Sequence, residues 1–257
     1  MKTRLDKLLV ERGFAPSRER AQALILAGRV LVNGQKQEKS GAPIDRDANL
    51  RILGDDLPYV SRGGLKLAHA LKHWNLDIAN KICLDIGAST GGFTDCLLQG
   101  GAAQVIAVDT GYGQIDAKLR NDPRVHLLEK TNARYLTPEQ IWAGTKPAPI
   151  NFVAMDVSFI SAAIVLPAVV ATVRASSDDF QLVLLVKPQF EVGREHVGKG
   201  GIVRDQMAQQ QAVTKLLHAV EQLGGSGIEV TESPILGTEG NREFLLHAHF
   251  SRQKPHV

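Results

Sequence analysis

Cysteine is scarce in this chain. Cys83 and Cys96 are its only two, without a C-x-x-C spacing or a histidine–cysteine cluster around them. That argues against a disulfide framework or a structural zinc site and suits a reducing, cytoplasmic setting. Long hydrophobic runs are also lacking. The longest, Ala162 to Val173, spans twelve residues and is broken by Pro167, too short to cross a bilayer. The start, Met1-Lys2-Thr3-Arg4, leads into a charged amphipathic stretch with no apolar leader, so no signal peptide is expected. What is present suffices for folding: 257 residues with a hydrophobic fraction of 44% can bury a proper core.

The formal charge of +3 is unevenly spread. Residues 1–52 hold eleven Lys/Arg against six Asp/Glu, whereas the remainder holds nineteen against twenty-one. A basic accessory module attached to a nearly neutral body is the expected organisation, and nucleic acid is a natural partner for it.

Within that module Leu5, Leu8 and Leu9 follow helical spacing, and Gly13 is placed to end the helix. Ser17 is a good N-cap for a second helix with Ala21, Leu24 and Ile25 on its apolar stripe, and Gly28 stops it. Val30-Leu31-Val32 then reads as a strand before an Asn33-Gly34 hairpin turn. Arg4, Lys7, Arg18 and Arg20 cluster on the two helices as candidate phosphate contacts. The run R-L-D-K-L-L-V-E-R-G, followed by S-R-x-x-A-Q-x-L-I-x-A-G-x-V-x-V-N-G, resembles the small RNA-binding module of ribosomal protein S-four, over about residues 3–51. Gly54-Asp55-Asp56-Leu57-Pro58 is turn-forming and reads as part of a linker over 53–58.

The β-type run Lys81–Ile86 ends in the loop G-A-S-T-G-G, Gly87–Gly92, and a helix follows from Phe93 to Leu98. Strand, glycine-rich turn and helix together form a nucleotide-binding corner. A second run, Gln104–Asp109, ends in an acid that can accept hydrogen bonds from both hydroxyls of an adenosine ribose. A dinucleotide needs G-x-G-x-x-G, which this loop does not spell, whereas S-adenosylmethionine needs only close backbone approach. Asp85 can order the charged end of its methionine. Asn132, after the run Val125–Leu128, is placed to meet the adenine edge. The candidate cofactor residues are therefore Asp85, Gly87, Ala88, Ser89, Gly91, Gly92, Phe93, Asp109, Asn132 and Asp156.

Two further apolar runs end in charge: Asn151–Asp156, and Gln181–Lys187. Such ends lie at the active edge of an open α/β sheet. Methyl transfer to a ribose hydroxyl needs the proton removed as the oxygen attacks, which a lysine can do when burial or a neighbouring cation depresses its proton affinity. Lys66, in Y-V-S-R-G-G-L-K, and Glu243, in G-N-R-E-F, are candidates for the supporting roles. The paired His69 and His73 beside Trp74 show no third ligand and read as exposed helix histidines, so no metal is expected.

The ordered motifs Y-V-S-R-G-G-x-K-L, L-D-I-G-A-S-T-G-G-F-T-D, A-V-D-x-G-Y-G-Q, M-D-V-S-F-I-S, V-K-P-Q-F-E-V-G and G-N-x-E are similar to those of the TlyA family, ribosomal RNA 2′-O-methyltransferases with a catalytic domain of the FtsJ/RrmJ type. The resemblance implies a Lys-Asp-Lys-Glu tetrad, carried by Lys66, Asp156, Lys187 and Glu243, and a cytidine ribose in ribosomal RNA or a ribosomal subunit as target. One departure is Ile115-Asp116-Ala117 after Gly113-Gln114, where a tryptophan is expected nearby. Two alternatives stand beside this reading. A membrane-active haemolysin matches a name often given to the family, but no membrane-type amphipathic helix is visible. A base N-methyltransferase would carry an N/D-P-P-F/Y-like clamp where this chain has Asp156-Val-Ser-Phe159; Phe159 either stacks a base or sits in the core.

The expected architecture is a small α+β RNA-binding domain at 1–52, the linker, and a doubly wound, Rossmann-like, seven-stranded methyltransferase at 59–252, acting as a monomer. Arg62, Arg194 and Lys199 are added to the RNA-binding candidates. Residues 188–205, without clear helical or strand periodicity and rich in glycine, read as a lid closing over a flipped nucleotide.

Overall fold

The computed structural model describes residues 2–15, 17–53, 57–143, 146–237 and 240–251. The chain divides into two compact units, residues 1–57 and 58–257. Most of the expected linker, residues 54–56, lies outside the described residues.

In the first unit, helices Leu5–Glu11 and Arg18–Leu26 pack through Leu5, Leu8, Leu9, Ala21, Leu24 and Ile25, all buried. Each such side chain contributes about 1.5–3 kcal/mol by leaving water. Ser17 caps the second helix by accepting from the Arg20 amide at 3.2 Å. Strand Val30–Val32 pairs on one side with Gln35–Lys36 and on the other with Leu50–Ile52. The intervening Asn33 and Gly34 both have positive φ (51° and 82°), as a tight hairpin turn requires. Arg4 is not helical as expected: it ends strand Lys2–Arg4, paired with Pro43–Asp45.

The second unit is built on a seven-stranded sheet: β1 (Ile82–Ile86), β2 (Gln104–Val108), β3 (Val125–Leu128), β4 (Phe152–Met155), β5 (Phe180–Val186), β6 (Gly225–Glu232) and β7 (Phe244–Phe250). Among the described residues the order is β6-β7-β5-β4-β1-β2-β3. β1 to β5 run parallel, and β7 is antiparallel to both its neighbours. Helices α1 (Gly63–His73), α2 (Gly92–Gln99), α3 (Ala162–Arg174) and α4 (Gln206–Gln222) cover the faces. Strands buried on both sides read as unbroken apolar runs. Thus Leu182, Leu184 and Val186 of β5 enter the core under α3 and α4, while Val183 and Leu185 enter the core under α1 and α2.

Pro167 interrupts the apolar run but not the helix: α3 continues through it. An interior proline costs a helix about 3 kcal/mol. Pro167 lies on the exposed face, and burial of Val165, Leu166, Val169, Val170 and Val173 on the other offsets that cost.

Candidate active site

The chain moves outward from β1 through β2 to β3, then returns across the sheet to β4 and β5. Ligands in such sheets bind where the direction switches, beyond the carboxyl ends of the strands. A cavity of about 260 Å³ lies there, lined by the tips of β1, β2 and β4. Gly87 forms one wall. Its φ is +87°, and a Cβ on it would lie 2.3 Å from the Asp156 carbonyl oxygen, so only glycine lets the β1 tip pass beneath the β4 tip. Ser89, also at positive φ, donates its amide to Asp109 Oδ2 at 2.8 Å, and Gly111 N–H meets Oδ1 at 2.6 Å. Asp109 therefore ties the glycine loop to the end of β2 while it lines the cavity.

Of the expected cofactor residues, Gly87, Ser89, Asp109, Asn132 and Asp156 line this cavity; Asp85, Ala88, Gly91, Gly92 and Phe93 do not. Gly91 and Gly92 serve packing. A Cβ on Gly91 would lie 2.2 Å from Leu119 Cδ1, and one on Gly92 would lie 2.2 Å from Ser61 Oγ and 3.0 Å from the Gly64 amide. The second approach sets the start of α1 against the start of α2, one turn before Lys66. Asp85 lies beneath the loop, fully buried, and accepts from Thr94 Oγ1 at 2.6 Å. Burial pushes its carboxyl up to about 7, against the lowering effect of the Thr94 bond. Its other oxygen, Oδ1, is buried and has no hydrogen-bond partner among the described residues. Asn132 caps the turn Ala133–Tyr135 by accepting from the Arg134 amide.

The four tetrad candidates meet at one edge as two ion pairs. Lys187 Nζ lies 2.5 Å from Asp156 Oδ1 and donates to Ser158 Oγ at 2.7 Å. Lys66 Nζ pairs with Glu243 Oε2, both side chains buried. Strand direction explains the meeting. Asp156 and Lys187 follow the carboxyl ends of parallel β4 and β5. The antiparallel register sets Phe244 opposite Val186, so Glu243, before the start of β7, reaches the same edge.

Phe159 is no core residue: it is 91% exposed, has φ +65°, and packs against the Phe190 ring at 5.4 Å between centroids. Ser158, Thr110 and Thr131 also line the cavity or hold Lys187 and were missed from the sequence, where small polar residues next to strand ends carry no distinctive spacing. His69 stacks on His73, which meets Trp74 edge-on, and Trp74 stacks on His247 of β7. His69 is half-buried, not exposed as expected.

The basic candidates are dispersed. Arg4 and Arg18 both bind the buried Asp6 carboxylate, at 2.9 and 3.1 Å, and Gln22 joins them. Arg4's hydrogen bonds hold the Asp6 carboxyl well below the usual carboxylate range. Both arginines stay about half exposed (53%). Lys7 pairs with Glu11, and Arg20 is half-buried. Arg62 donates to the Leu236 carbonyl at 2.9 Å. Arg194 and Lys199 are exposed, the first in a one-turn helix, Arg194–His196, the second in a turn, Lys199–Gly201, in which both glycines have positive φ. Together with helix Pro188–Glu191, these give residues 188–205 more helical turns than their sequence suggests.

A parallel sheet with one reversed strand, a glycine-loop cavity at its switch point and a charged tetrad beside it define a methyltransferase of the Rossmann-like class. The chain belongs to the FtsJ-like methyltransferase family, whose profile matches residues 59–250, and an S4 domain matches residues 3–50. The resemblance to the TlyA family is borne out. The 16S/23S rRNA (cytidine-2′-O)-methyltransferase TlyA of Mycobacterium tuberculosis is 45% identical over 246 residues, covering 95% of this chain and 89% of that one. A Bacillus subtilis protein provisionally named rRNA methyltransferase YqxC is 49% identical over 249 residues, covering 97% and 86%. A solved structure from Streptococcus thermophilus, provisionally named a hemolysin, matches with a TM-score of 0.73 at 42% identity, over 98% of this chain and 89% of that one. Among the described residues no helix is long and apolar enough to cross a membrane.

Proposed function

We propose that this chain transfers a methyl group from S-adenosylmethionine to the 2′-hydroxyl of a cytidine ribose in ribosomal RNA, in the cytoplasm where ribosomes are assembled. The observation that carries the reading is the placement of Lys187, held by Asp156 and Ser158 beside the cavity they line, with the Lys66–Glu243 pair joining α1 to the start of the adjoining strand β7. The donor set fits the cofactor. Asp109 offers a carboxylate to ribose hydroxyls, Asn132 an amide to adenine, and the side-chain-free Gly87 a close approach for the methionine tail. When bound, S-adenosylmethionine supplies an electrophilic sulfonium methyl.

Lys187, as the neutral amine, would take the proton of the ribose hydroxyl as its oxygen attacks the sulfonium methyl that the bound cofactor would supply, and Asp156 would hold the ammonium so formed. Asp156 orients the amine. Lys66, fixed by Glu243, places a second positive charge beside the developing oxyanion. Phe159, exposed at the cavity mouth, offers a face on which the target base can stack. Arg4, Lys7, Arg18 and Arg20 of the S4 domain, with Arg62, Arg194 and Lys199, supply phosphate contacts.

The test is mass spectrometry of nucleosides from ribosomal RNA incubated with the protein and labelled cofactor. A 2′-O-methylcytidine product is expected; a base-methylated nucleoside would sink the proposal. Lys187→Ala should lower kcat by at least about 10²-fold while cofactor affinity stays within about twofold. Undiminished transfer by that variant removes Lys187 from the mechanism.

A further inference from the structure

The tetrad leaves one buried charge near it unexplained. Glu191 closes the short helix that begins after Lys187, and its side chain is 2% exposed. The segment 187–191 and the connection from β4 to α3, residues 156–161, are joined by three successive contacts. Lys187 meets Asp156 and Ser158 at one end. Phe190 packs on Phe159 in the middle. At the other end the Glu191 carboxylate accepts from Ser161 Oγ at 2.5 Å and from the Ala162 amide at 2.6 Å.

That last contact replaces an ordinary cap. Ser161 stands at the N-cap of α3 but makes no side-chain bond to its own helix, so Glu191 from another element satisfies the helix start. A carboxylate buried this deeply is costly unless each oxygen is met. Lys215 of α4 completes the set: its Nζ lies 3.0 Å from Glu191 Oε2 and donates to the Glu191 carbonyl at 2.9 Å and to Ser161 Oγ at 3.1 Å. Between the two clamped ends sits Phe159, at a φ of +65° that a bulky side chain does not hold unaided.

We propose that Glu191 and Lys215 are positioning residues. The Lys215–Glu191–Ser161 clamp fixes the two segments against each other and thereby holds the Lys187 amine where it meets the substrate hydroxyl. Like Lys187, neither residue lines the cavity; unlike Lys187, neither is hydrogen-bonded to a residue that does, and both reach the site through the 187–191 segment and Ser161. The inference rests on the role given to Lys187 above.

Glu191→Gln keeps shape and acceptor but removes the charge; Lys215→Met keeps the stem; Lys215→Arg keeps the cation. With rates normalised to cofactor-binding sites, the first two should lower kcat on ribosomal RNA at least about tenfold, because small misplacements of a reacting group are costly. KM for RNA and cofactor affinity should stay within about twofold, and Lys215→Arg should recover more than about half of the wild-type kcat. Amide exchange at Ala162 should rise about tenfold in the first two variants. A kcat unchanged in both, a loss carried by KM, equal losses in Lys215→Arg and Lys215→Met, or unchanged exchange at Ala162 overturns the clamp. Wild-type protein that methylates no ribose overturns the reading of Lys187 instead, and the exchange measurement then still decides whether the clamp exists.

Discussion

Two buried aspartates respond to acid in opposite directions. Asp6 is held below its ordinary range by Arg4, Gln22 and Arg18, so its contribution to stability is full above the unfolded pKa and is lost as pH falls through the folded one. Asp6→Asn should destabilise the first unit by about 2 kcal/mol at neutral pH and flatten its acid transition, read from urea melts at pH 7 and pH 3. Asp85 runs the other way. Its carboxyl is raised to about 7, so the folded chain binds a proton more tightly than the unfolded one, and stability falls as pH rises from about 4 through 7. Asp85→Asn should therefore raise the melting temperature at pH 8 and have little effect at pH 4; an equal effect at both would show that the carboxyl is ordinary. The sequence exposes Lys187 and Asp156 because a charge that ends an apolar run has few places to go. It does not expose the choice of partner. Arg4 and Arg18 converge on Asp6, and Lys215 on Glu191, only once separate helices pack.

Backbone elements show the same division. Each β-run that ends in charge is recoverable from the sequence because interior strands must be apolar on both faces. Residues 188–205 were harder, since one-turn helices and turns have no period to detect. Their far end is anchored by the buried Asn241, which accepts from the Val203 amide at 2.9 Å and donates to the Gly201 carbonyl at 2.8 Å. With Glu191 fixing the near end, residues 193–200 lie between the two anchors, and a lid closing over RNA would have to move there. Hydrogen exchange should be fast there and slow at Val203, RNA should slow the first alone, and Asn241→Ala should release Val203. Equal protection of 193–200 with and without RNA removes the lid. At the glycine loop, Gly87→Ala would drive a Cβ to 2.3 Å from the Asp156 carbonyl, so cofactor binding should vanish and stability should fall by more than about 2 kcal/mol, by calorimetry.

At the scale of the whole chain, the compact division near residue 57 means that each unit carries its own core. Removal of residues 1–57 should leave a folded, cofactor-binding protein with little activity on ribosomal RNA, and the full chain should lose RNA affinity steeply with salt. A truncated protein as active as the full chain would show that the first unit is no anchor. The reversed strand has a consequence in time. β7 is made after every other strand of the sheet, yet its place is between β5 and β6, not at the rim. Until it arrives, the full apolar edge of β5 stands unpaired, an invitation to aggregate, and Glu243 is missing from the site. Completion of the sheet, and with it the gathering of Lys66, Asp156, Lys187 and Glu243 at one edge, therefore waits on the last of its strands to be made.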